Sequence, residues 1–203
     1  VCEEVPWSSE QKINIRAEIF TKLLVSGSEG VASSRPAEPR VYPFIYSLAA
    51  SIPTPKGILA SRLFRPGYQT DQHRPVHKII AEYSAAVYLT KRIGNSADPL
   101  TLRKCLSLIA PGHYVRDELR GLLGWMAACG DSTMQQNIIQ LDPYSVLANG
   151  DPSQLTVSSR LFLIAQLQKL EKEDPFFRRN DAWRRFSVTG FFTPEIIETI
   201  RPL

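Results

Sequence analysis

Residues 73–89 read HRPVHKIIAEYSAAVYL, and two of the three histidines in the chain lie within them. His73 and His77 are four apart, the spacing of two zinc ligands on adjacent helical turns. Pro75 stands between them, and the residue before a proline avoids helical backbone, so the spacing places His73 outside the helix that His77 opens. No HExxH pattern is present. Glu82, five residues after His77, points well around the helix from it, so an acid–base pair is not expected. The stretch therefore predicts a helix from His77 to about Arg92, ended by Gly94 and Asn95, with Val76, Ile79, Ile80, Tyr83 and Val87 on its apolar face. Glu82 is spaced to pair with Lys78, and Ala85 and Ala86 permit close approach of another helix.

Working outward, the signals are helical almost throughout. Residues 8–26 start on Ser8 with Gln11 three later, carry Ile13, Ala17, Phe20, Leu23 and Leu24 at helical spacing, and stop at Gly27. Residues 28–40 read as a loop, and VYPFIYSLAA and GILASRLF as short helices. RLFRPGYQTDQHRPVH, residues 62–77, predicts a small β-hairpin with Pro75 on an edge. Further helices are expected over 99–110, 115–128 and 156–172, the last with Leu161, Ile164, Ala165, Leu167 and Leu170 as apolar members. Asp142-Pro143 and Thr193-Pro194 each open another helix. The fold class is mostly all-α: a part with a small β-hairpin over 1–76, then an irregular α-solenoid-like domain of stacked helices over 77–203.

Composition narrows the function classes. Hydrophobic residues make up 43% and charged residues 22% of the 203, an ordinary globular balance, and the net charge is +4. Three widely spaced cysteines, Cys2, Cys105 and Cys129, argue against a disulfide framework or a structural zinc site, and for a reducing, cytoplasmic setting. No apolar run approaches the ~20 residues of a membrane span, so no membrane partner is expected. The acidic start VCEEVPWSSE is unlike a signal peptide, and the chain reads as a piece of something longer. Neither a Walker A motif nor a Walker B pattern occurs, and no G-x-S-x-G elbow. Catalysis by this chain alone, or a cofactor held by it alone, is therefore not expected. Cys105 and Cys129 read as core residues, and His113 as a loop or helix-cap residue.

FFRRNDAWRRF, residues 176–186, interleaves Arg178, Arg179, Arg184 and Arg185 with Trp183 and phenylalanines. This combination can hold single-stranded nucleic acid through phosphate contacts and stacking. Its ordinary reading is a helix with Trp183 and Phe186 buried and the arginines solvated or paired with Asp174 and Asp181.

The series His77, Glu82, Tyr83, Ala85, Ala86, Tyr88, Leu89 resembles the segment that closes the winged-helix domain of NACHT-type STAND NTPases, signalling ATPases that include bacterial antiviral sensors. ILASRLFRPGYQTDQHRPV before it resembles the family's last winged-helix turn and wing, which implies that the part over 1–76 is winged-helix-like. LRGLLGWMAACG, DPYSVLANGDPSQL and SRLFLIAQLQKLEKEDP after it are similar to the helical region that follows the NTPase core in large bacterial members. The likeness spans most of residues 41–175; Pro75 departs from it, standing where the family has an aromatic residue. The resemblance implies that His77 reaches the phosphate of an ADP held by an upstream NTPase domain of the same protein. It also implies ADP or ATP as the parent protein's cofactor, and a non-catalytic role for this part, coupling nucleotide state to ligand sensing. A scaffold for protein partners through the helical domain is the remaining alternative.

Overall fold

A computed structural model describes residues 7–49, 55–176 and 190–200. It divides into two compact units, residues 1–95 and 96–203. The chain is mostly helical with one small sheet.

The first unit opens on α1 (Ser9–Ser26). Ser8 and Gln11 form a reciprocal capping box, and Gly27 closes the helix in the left-handed conformation with φ 72°. Strand β1 (Val31–Ala32) follows within the stretch expected to be a loop, then the short helices α2 (Ile45–Leu48) and α3 (Pro55–Leu59). The hairpin is present as β2 (Phe64–Pro66) and β3 (Gln72–Pro75). The sheet is antiparallel with order β1-β3-β2, so β3 is its central strand.

Pro75 is therefore not on an edge strand. Bonds from Val76 N to Leu63 O and from Gly67 N to Gln72 O flank the β2–β3 ladder, which makes Phe64–Pro75 a non-hydrogen-bonded pair. The proline nitrogen points away from β2, to the side where β1 pairs only with His73 and Gln72. No ladder bond is lost there.

Helix α4 (Lys78–Ile93) packs on α1, which ties it to the first unit. The boundary expected at 76/77 thus shifts to 95/96. The buried face of α4 is Ala81, Glu82, Ala85, Ala86 and Leu89, whereas Ile79, Tyr83 and Val87 are 55%, 48% and 40% exposed. This overturns the apolar face read from the sequence. Both sets recur every four residues; the alanines won because they let α4 lie close against α1. The core of this unit gathers Ile19, Phe20, Leu23, Val31, Ile45 and Phe64, with the Phe20 and Phe64 rings 4.9 Å apart.

In the second unit, α5 (Leu102–Ile109) is capped by Thr101, and α6 (Arg120–Cys129) follows two single 3-10 turns. Helix α7 (Ser132–Leu141), capped by Asp131, is an element that the sequence reading lacks. Asp142 caps α8 (Pro143–Asn149) with Pro143 at its first position, as expected. Helices α9 (Val157–Glu173) and α10 (Pro194–Ile200) complete the unit. Helix α6 packs chiefly on α8, and α7 on α9. The side chains of Leu119, Leu122, Leu123, Met126, Ile138, Ile139 and Leu163 are fully buried. Along α9 the buried residues are Ser159, Arg160 and Leu163, not the expected set, and Ala165 is exposed.

Candidate functional site

The head of α4 is built by the end of β3. His77 leaves the strand with φ −142° and ψ 140°, occupies the N-cap position, and is exposed. Its side chain makes no capping hydrogen bond, so the first amides of α4 have no side-chain acceptor from that position. Lys78 beside it is exposed and reaches Glu82 at 3.5 Å. An exposed imidazole, an ammonium and the uncapped start of a sixteen-residue helix thus share one small area. Chemically, that set offers donors and positive potential to an anion.

Glu82 itself is 6% exposed. Burial pushes its carboxyl above the ordinary range, and Lys78 opposes that shift only in part. A carboxyl raised in this way binds its proton more tightly folded than unfolded. Stability from this group is fully present below its unfolded value and declines as pH rises through the folded one. Glu82→Gln is expected to raise the melting temperature at pH 7, with the gain vanishing below about pH 4. Thermal unfolding of both proteins across pH 3–8 checks this; a pH-independent difference contradicts it.

The other sequence candidates fall elsewhere. His73 lies inside β3, half-buried, with its Nδ1 enclosed and unbonded. Among the described residues no three His, Cys, Asp or Glu side chains are grouped to hold a metal. Cys105 is buried and its thiol pushed up to about 11 by desolvation; burial also raises Cys129. Both shifts disfavour the thiolate, the nucleophilic form of the group. His113 ends a 3-10 turn at φ 68°, exposed, and lines an open groove of about 890 Å³ with Arg103, Leu106, Asn137 and Gln140. Arg178, Arg179, Trp183, Arg184 and Arg185 lie outside the described residues. No described helix is long and apolar enough to cross a membrane.

Comparison of the chain with protein-family models, with curated proteins and with solved structures finds no match.

Proposed function

We propose that this chain is a non-catalytic coupling module of a STAND-type signalling NTPase, acting in the cytoplasm, in antiviral defence. The observation that carries the reading is the exposed His77 at the uncapped head of α4, next to the exposed apolar row Ile79, Tyr83 and Val87. In this reading an upstream NTPase domain of the same protein seats on that row and brings the phosphate of its ADP to the His77 imidazole. A charge-assisted hydrogen bond there holds the resting arrangement, and nucleotide exchange releases it. The first unit, with its hairpin leading directly into α4, takes the winged-helix role. In the second, the packing of α6 on α8 and α7 on α9 suits an irregular two-layer solenoid that passes on ligand sensing.

The test uses the full-length parent protein. His77→Ala is expected to weaken ADP retention by roughly tenfold or more, the worth of one hydrogen bond to a charged group, and to raise basal activity. Unchanged ADP release and unchanged basal output in that variant reject the role.

A further inference from the structure

Arg65 and Arg74 stand directly opposite each other in the β2–β3 ladder. The bonds that flank the ladder make theirs a hydrogen-bonded pair, with Cα atoms about 5.5 Å apart and side chains on one face. That face is opposite to the one on which Phe64 meets Phe20. Like charges directly opposite on a sheet destabilise it. Among the described residues neither arginine has a carboxylate within ion-pair distance. Glu29, just before β1, is engaged by the Tyr42 hydroxyl at 3.3 Å instead. Asp71 is held by Ser34.

The Arg74 guanidinium lies 4.8 Å from the centre of the Tyr68 ring, and its Nε is enclosed without a hydrogen-bond partner. Tyr68, at the hairpin turn, is 81% exposed. Arg65, three residues before it, is exposed as well. The charge is not spread evenly: residues 1–95 hold twelve Lys and Arg against eight Asp and Glu, whereas residues 96–203 hold twelve of each. The whole net charge of the chain belongs to the unit that carries this sheet.

We infer that the outer face of the hairpin is a binding site for the phosphodiester backbone of a nucleic acid strand. Arg65 and Arg74 clamp a phosphate between them, and Tyr68 offers its open ring to a base or sugar. A pair of opposed guanidiniums is stabilised by an anion between them, and a fork of N–H donors matches phosphate geometry. The exposed ring favours a nucleic acid over an acidic protein surface, because it supplies stacking that carboxylates cannot use. This inference does not rest on the coupling role proposed above, which involves His77.

The test measures binding of the full chain to a fluorescent single-stranded 20-mer by anisotropy at 50–200 mM salt. Arg65→Gln/Arg74→Gln, Arg65→Lys/Arg74→Lys and Tyr68→Ala are compared with two charge-matched controls, Arg184→Gln/Arg185→Gln and Lys169→Gln/Lys172→Gln. Thermal melts of each variant establish folding. Removing the opposed charges is expected to leave the melting temperature equal or higher while weakening binding tenfold or more. The Lys pair is expected to retain part of the affinity. The log–log salt slope should lie near about −0.7 to −1.4, for one or two phosphates at about −0.7 each on a single strand. No binding at 50 mM salt overturns the inference. So does binding that the Arg65/Arg74 variants leave intact, whether or not the Arg184/Arg185 variant abolishes it. Equal binding of a polyglutamate peptide of matched charge also overturns it, in favour of an acidic protein partner.

Discussion

Arg160→Ala is expected to destabilise the second unit by about 3 kcal/mol, the scale of losing several hydrogen bonds from one charged donor. Arg160 is 8% exposed, yet no described carboxylate bonds it. Its guanidinium instead donates to four carbonyls: Leu155 at 2.9 Å, Gly190 at 3.1 Å, Phe191 at 3.2 Å, and Ser153. The planar fork joins the turn before α9 to the segment that enters α10, thirty residues further along the chain. Alanine leaves these acceptors without their donor and removes the tie that holds residues 190–200 on α9. Hydrogen exchange should therefore quicken first at Phe191 and through α10, with α6 and α7 following only as the whole unit loosens. Arg160→Lys keeps the charge but not the fork, and should recover less than half of the loss. Urea unfolding read through the amides of α9 measures both variants. A change under 0.5 kcal/mol for alanine would show that the carbonyls find water instead.

Gly150→Ala is expected to cost about 2–3 kcal/mol, the usual range for overpacking a tight contact. Its φ of −97° suits any residue, so the demand for glycine is steric. A Cβ placed there would lie 2.3 Å from the Gly124 carbonyl oxygen and 2.7 Å from its carbon. The reverse substitution meets backbone too: a Cβ at Gly124 would be 2.7 Å from Gly150 N and 2.9 Å from Ser145 O. Backbone cannot swing aside as a long side chain can, so α6 and the end of α8 must part. Since both changes open the same gap, the double variant should cost clearly less than the two singles together. Gly27, with φ 72° and open space for 4 Å around the point where a Cβ would sit, gives the contrast. Gly27→Ala should cost only about 1 kcal/mol, from backbone strain alone. Equal losses at Gly27 and Gly150 in parallel denaturant curves would refute the steric account.

The parts of the fold that were legible in the sequence are those set by local chemistry. Ser8 with Gln11, Asp142 with Pro143, and Gly27 each act through atoms a few residues away, and all three end or begin helices as read. The hairpin was legible from its turn. What needed three dimensions was which of two equal stripes of α4 faces inward, since Ile79, Tyr83 and Val87 are more apolar than the alanines that are buried. Strand β1 is two residues long and exists through its pairing with β3; α7 is marked by Asp131 as N-cap and by Met134, Ile138 and Leu141 at helical spacing, a signal short enough to pass for a linker between α6 and α8. At the candidate site, the helix start at His77 and the Lys78–Glu82 pair were readable from spacing. The opposition of Arg65 and Arg74 was not, because register across the turn decides it.

That same register bears on how the protein behaves when crowded. Strand β2 forms one border of the sheet, and the groups it turns outward belong to Phe64 and Pro66, which are not bonded to β3. Pro66 has no amide hydrogen, and Arg65 brings a charge to the same three-residue border. The Phe64 amide is already given to Ser61 O at 3.2 Å, so a further strand arriving from a second molecule would find no open donor on these three residues and a guanidinium in its path. The hairpin therefore refuses growth by strand addition, and concentrated solutions should stay free of β-rich aggregates seeded at this edge.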